Sequence, residues 1–233
     1  MGKGTILFLH GWGLSGAVWL QFFDSSLRKE YNLVSVDLPG FGKSGLPNRD
    51  FSVHDYAGVI KDFLIKLQMK NVTIIGHSFG GSIAAILASS HPELIRQLVL
   101  VSSAGIRQKY KSTKLIELLV PFLRPVFEVR LMSKLRRQFY QWIGSDYLFS
   151  EDLKGTFRKV VSEDITPYLS RIFQPTLIIW GRHDEVTPIS RAEIFRRDIT
   201  NSQLKIMEQS GHFPYQDASA EFISQLENFL YGS

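Results

Sequence analysis

Gly76-His77-Ser78-Phe79-Gly80-Gly81 lies between an apolar, β-branched run, Val72-Thr73-Ile74-Ile75, and a run of small and apolar residues, Ser82-Ile83-Ala84-Ala85-Ile86-Leu87-Ala88. The first run reads as a strand and the second as a helix, so the residues between them form a strand–turn–helix junction. In that setting Gly-x-Ser-x-Gly is the pattern of a nucleophile elbow. Glycines two residues to either side of the serine remove Cβ atoms that would clash where strand and helix approach. The serine is then held under backbone strain with its hydroxyl projecting from the top of the sheet. The helix that follows aims its positive N-terminal end at the same point. Ser78 is the expected nucleophile.

A serine hydroxyl needs a base, and two downstream loops offer one with its orienting acid. Ser210-Gly211-His212-Phe213-Pro214 follows the short strand Leu204-Lys205-Ile206-Met207, and its Gly and Pro place His212 on a loop. Asp184 sits on the loop leaving the buried-looking strand Thr176-Leu177-Ile178-Ile179-Trp180. The chain order Ser78, Asp184, His212 is that of one known solution to the serine–histidine–acid triad. His212 takes the serine proton, while Asp184 fixes the imidazole tautomer and stabilises the imidazolium. Asp164 and Asp217 are rival acids, but only Asp184 follows a buried strand. His183, adjacent to Asp184, is a poor base, because neighbours on one loop rarely converge on a third group.

The oxyanion of an acyl-transfer intermediate needs two donors. The strand Thr5-Ile6-Leu7-Phe8-Leu9 runs into His10-Gly11-Trp12-Gly13. The backbone N–H of Trp12 on this loop and that of Phe79, just after the nucleophile, are the expected pair. His10 reads as structural. The Trp12 side chain lines the acyl pocket or packs in the core.

Together these motifs resemble the α/β-hydrolase superfamily over nearly the whole chain. Val36-Asp37-Leu38-Pro39-Gly40-Phe41-Gly42-Lys43-Ser44 is similar to that family's Asp-x-Pro-Gly-x-Gly-x-Ser turn, with Asp37 and Ser44 in structural roles. The resemblance is strongest to the small carboxylesterase and C–C-bond hydrolase branch. His10 to Leu14 and Asp37 to Ser44 are also similar to the esterases that cleave pimeloyl carrier-protein methyl ester, from which the middle of the chain departs. Haloalkane dehalogenases and epoxide hydrolases use an aspartate where this chain has Ser78. Prolyl aminopeptidases usually carry Trp where it has Phe79. The resemblance implies ester cleavage through an acyl-enzyme, without metal or cofactor. Alternatives on the same machinery are a C–C-bond hydrolase, a thioesterase, a lactonase, a perhydrolase and a carrier-protein methyl-ester esterase. A receptor-like hydrolase fold is an alternative of another class.

Strands read at about 5–9, 32–36, 72–76, 96–102, 176–180 and 203–207, with helices at about 16–28, 53–69, 79–90, 188–198 and 218–230. Their continuous apolar character predicts an α/β fold with a six-stranded, mostly parallel sheet covered on both faces. The expected order is 2-1-3-4-5-6. It reverses direction between strands 1 and 3, where crevices form.

Residues 104–171 break this rhythm and are too long for a simple loop. In the resembling family an insertion here forms a helical cap, so the domain reading is a hydrolase core at 1–103 and 172–233 with a cap at 104–171. Leu118, Leu119, Phe122, Phe127 and Trp142 are its candidate substrate-binding side chains, joined by Trp12 and Phe213 from the core. The segment carries 13 basic and 7 acidic residues, +6 against +5 for the whole chain. Such a cap attracts an anionic or carrier-linked ester, an acidic partner or an anionic membrane surface, or is simply a solvated face.

The 233 residues fit one domain with a large core, and 44% are hydrophobic. The absence of cysteine excludes disulfides, thiolate metal sites and a cysteine nucleophile. No histidine pair has zinc-site spacing. No nucleic-acid motif accompanies the charge, and no apolar run is long enough to span a membrane. The chain enters its first strand almost at once, so a cytoplasmic location is expected.

Overall fold

The structure, a computed structural model, describes residues 4–107 and 151–232. Six strands, β1 (Gly4–Leu9), β2 (Tyr31–Val36), β3 (Val72–His77), β4 (Ile95–Val101), β5 (Thr176–Gly181) and β6 (Ser202–Met207), form one sheet in the order β2-β1-β3-β4-β5-β6. Every neighbouring pair is parallel. Both the order and the strand positions are those expected.

Alternation along each strand explains why the sheet is covered twice. Leu7, Leu9, Ile74, Leu98, Leu100, Ile178 and Trp180 enter one core. Ile6, Phe8, Ile75, Val99, Val101, Leu177 and Ile179 enter the other. The described α-helices are α1 (Leu27–Glu30), α2 (Val53–Lys66), α3 (Phe79–Ser90), α4 (Lys154–Ser162), α5 (Thr166–Leu169), α6 (Ser190–Asp198), α7 (Pro214–Asp217) and α8 (Ser219–Tyr231). Helices α2, α3 and α6 pack on the first face, and α8 packs on the second with Trp19 and Phe22.

One element differs from expectation. Residues 16–28 are not one α-helix but a 3₁₀ helix, Gly16–Asp24, followed by the single turn α1. Its buried residues are Gly16, Trp19 and Phe22, spaced by three, the period at which side chains eclipse in a 3₁₀ helix.

Register places the loops that matter at one edge. Leu9 pairs with Gly76, His77 with Val101, Val101 with Ile179 and Gly181 with Met207. In a parallel sheet the segments after these residues all emerge on the same side. The crossovers from β1 and β3 leave in opposite directions, which opens a crevice there.

The expected cap interval is described only at its ends, 104–107 and 151–171. The second end is fastened to the start of α2. Phe51 N–H donates to Thr156 Oγ1 at 3.0 Å, and Val53 N–H donates to Glu163 Oε2 at 2.8 Å. Glu163 thereby places its carboxylate at the positive end of α2, which is also closed by a Ser52–Asp55 capping box. Among the described residues, no helix is long and apolar enough to cross a membrane.

Candidate active site

The chain turns from β3 into α3 at Ser78, whose backbone has φ +49° and ψ −111°. A serine rarely adopts that conformation, and surrounding bonds must hold it there. Ser78 N–H donates to Val101 C=O at 2.9 Å, while Ser78 C=O accepts from Gly81, Ser82 and Ala104 N–H. Space also dictates the flanking glycines. A Cβ at Gly76 would run into the Gly80 carbonyl, and one at Gly80 into the carbonyls of Leu9 and His10. Phe79 is the first residue of α3, where a backbone N–H has no intrahelical acceptor.

Across the sheet edge, Asp184 and His212 meet side chain to side chain. His212 Nδ1 lies 3.0 Å from Asp184 Oδ1 and 2.9 Å from Oδ2. A carboxylate only accepts, so the proton is on Nδ1 and Nε2 is left as the basic nitrogen. Three further donors complete the carboxylate. Val186 N–H and Thr187 N–H reach Oδ1 at 2.9 and 2.8 Å, and Thr187 Oγ1–H reaches Oδ2 at 2.8 Å. Burial pushes the Asp184 carboxyl up, but its bonds from His212 and Thr187, with the His212 charge, outweigh it and hold the group below the usual range. The acid loop is itself tied down, since Trp180 Nε1–H donates to Thr187 C=O at 2.7 Å.

The rival acids are occupied elsewhere. Asp217 accepts from Gly211 N–H at 2.8 Å, and Asp164 accepts from Thr166 N–H and Oγ1–H. Thr187 is the neighbour that sequence reasoning missed. An ordinary threonine before Pro188 carries no signal that its hydroxyl turns back onto Asp184.

The loop after β1 is shaped by polar contacts. His10 Nδ1–H donates to Gly11 C=O at 2.8 Å, and its Nε2 accepts from Leu38 N–H at 3.0 Å. The Asp37 carboxylate accepts from Gly16 and Lys43 N–H, and Ser44 Oγ–H donates to Asp37 C=O. The Trp12 ring stands against Phe41, Phe79 and Phe157 at 4.9, 5.3 and 5.2 Å between centroids. It therefore links the oxyanion-loop candidate to α4.

Phe213, expected to line a pocket, is instead buried. Its ring lies 4.9 Å from His77 and 5.2 Å from His212, and it joins the core on the far face of the sheet. The apolar residue after the base is drawn inward because the loop's inner side faces that core. Leu118, Leu119, Phe122, Phe127 and Trp142 lie outside the described residues.

His10 gives an acid-stability prediction. Burial lowers its pKa to about 4, against smaller upward pulls from the Gly11 carbonyl and Asp37. The unfolded chain therefore binds the proton first, near pH 6.5, and the folded chain only near pH 4. Stability from the neutral ring is complete above pH 6.5 and is lost as pH falls toward 4, at about 1.4 kcal/mol per pH unit. Urea unfolding should show a midpoint that drops between pH 7 and 5, with a shallower drop in His10→Asn. Identical slopes for both proteins would contradict this.

Residues 6–225 match the Alpha/beta hydrolase family. An uncharacterized protein of Mycobacterium tuberculosis is 30% identical, with 97% of this chain and 75% of that protein covered. A pimeloyl-acyl-carrier-protein methyl ester esterase of Aliivibrio fischeri is 28% identical, with 98% and 95% covered. The solved structure of an esterase from Exiguobacterium antarcticum has the same fold, with a TM-score of 0.77 over 99% of this chain and 93% of that one, at 24% identity. The elbow, the parallel sheet and the extent of these matches place the chain in the alpha/beta hydrolase family.

Proposed function

We propose that this hydrolase cleaves carboxylic esters through an acyl-enzyme on Ser78. The observation that carries the reading is the contact of Asp184 with His212 Nδ1 on both carboxylate oxygens, which puts the ring proton on Nδ1 and makes Nε2 the basic nitrogen. Ser78 Oγ attacks the ester carbonyl carbon and passes its proton to His212 Nε2. The tetrahedral oxyanion rests on the N–H groups of Trp12 and Phe79. The bond to the alcohol oxygen breaks as His212 returns the proton to that oxygen. Water then gives a proton to His212 and attacks the acyl carbon. Collapse breaks the bond to Ser78, which recovers the proton, and the acid leaves.

The partly exposed Trp12 ring and the exposed Phe157 ring beside it favour an apolar acyl group of short to medium length. Residues 104–171 are read as a cap that selects the substrate while the core carries the chemistry. Their charge of +6 and the 28% identity to a carrier-protein methyl ester esterase support an anionic or carrier-linked ester as the physiological class.

A series of p-nitrophenyl esters at two salt concentrations tests both parts. We expect repeated turnover with neutral acyl chains, hardly affected by salt. For an anionic acyl ester, kcat/KM should fall as salt rises, because exposed charges are screened beyond about 8–10 Å. A single turnover with retained product would contradict the esterase reading and favour the receptor alternative. Equal salt dependence for both esters would remove the anionic preference.

A further inference from the structure

We propose that His77 is a positioning residue for the base, a buried imidazole that clamps the backbone of His212 to the strand carrying Ser78. The inference rests on the reading of Ser78 and His212 as nucleophile and base.

His77 is the last residue of β3 and is 1% exposed. Its Nε2 lies 2.9 Å from the carbonyl oxygen of His212. A carbonyl only accepts, so the His77 proton is on Nε2. Nδ1 is then a bare acceptor, buried, with no hydrogen-bond partner among the described residues. It faces Gly11, where an added Cβ would stand 2.8 Å away. The ring is packed against His212, Phe213 and Tyr215, with centroids at 4.8, 4.9 and 5.1 Å. One side chain thus touches the oxyanion-loop candidate and the base loop, and it precedes the nucleophile directly in sequence.

The arrangement suits a clamp and not a second base. The groups that act electrostatically on His77 are His212, Asp184 and His10. Burial, and then the neighbouring His212, keep the ring well below the ordinary histidine range, so it stays neutral while His212 takes up and returns protons. A protonated His77 would set a second cation beside the imidazolium formed in the reaction. Asp184 holds the imidazole of His212 from one side and His77 holds its carbonyl from the other. Nε2 of His212 must serve Ser78 and then the leaving oxygen from nearly one place, and a misplacement of about 1 Å can cost on the order of 10²-fold in rate.

The test compares His77→Gln with His77→Asn. Glutamine can bring its amide N–H near the position of Nε2, whereas asparagine falls short, at the position of Nδ1. Active sites are counted with a fluorophosphonate, so rates refer to competent molecules only and labelling of Ser78 is checked separately from this inference. In His77→Asn we expect kcat per labelled site to fall on the order of 10²-fold. Its KM should be little changed, and the acidic limb of its pH–rate profile displaced. His77→Gln should recover most of kcat and the parent profile. His77→Phe, which keeps the ring and loses the donor, should behave like the asparagine variant. Equal kcat per labelled site and equal pH profiles in all variants, with only unfolding midpoints altered, would overturn the inference and leave His77 as packing. Asparagine outperforming glutamine would overturn it too.

Discussion

Ser78→Ala should lower kcat on esters by about 10⁶-fold, the scale seen when the nucleophile of a serine protease is removed. The loss is large because the serine, its base and the acid act as a unit. Without Oγ no acyl-enzyme forms, and only binding and oxyanion stabilisation persist. The fold should survive. The bonds that hold the turn run from the backbone of Ser78 to Val101, Gly81, Ser82 and Ala104, and alanine keeps all of them. Far-UV circular dichroism and the urea midpoint should match the parent, so that the lost rate is chemical and not structural. Activity within tenfold of the parent would remove Ser78 from the mechanism.

Asp184→Asn should lower kcat on the order of 10⁴-fold, through the tautomer. Oδ1 of Asp184 accepts the N–H groups of Val186 and Thr187. In the variant that position keeps the amide oxygen, so the NH₂ group takes the place of Oδ2, 2.9 Å from His212 Nδ1. An NH₂ group donates, which forces the imidazole proton onto Nε2, where it blocks acceptance from Ser78. The Thr187 hydroxyl loses that acceptor and is left with the Ser102 carbonyl at 3.2 Å. Asp217→Asn keeps a side-chain oxygen that can accept from Gly211 N–H and leaves His212 Nδ1 untouched, so kcat should change only a few-fold. Steady-state rates on one aryl ester decide it, and a reversed ranking of the two variants would transfer the acid role to Asp217.

The parallel core was legible in the sequence because each buried strand is a continuous apolar run between turn residues. The order of the strands is the one that the resemblance to the hydrolase family implies. The elbow was legible because the demand for space at Gly76 and Gly80 is written in residue type. Residues 16–28 are ambiguous in the sequence because Trp19 and Phe22, three apart, fit an α-helical face as well as a 3₁₀ one. Thr187 and His77 escaped for another reason. Thr187 Oγ1 and His77 Nε2 act on partners 3 and 135 residues away, one through a loop reversal and one across the sheet edge. Neither contact leaves a pattern in spacing. Phe213 stands beside the base in sequence, but adjacency along a loop does not say which side of the loop a ring takes, and its ring joins the core.

The central claim is that Ser78 becomes covalently acylated. Intact mass and peptide mapping after reaction with a fluorophosphonate test it most directly. The account predicts one adduct per chain, on the peptide containing Ser78, formed slowly in Asp184→Asn and absent in Ser78→Ala. An adduct on another residue, or labelling that persists in Ser78→Ala, would contradict it.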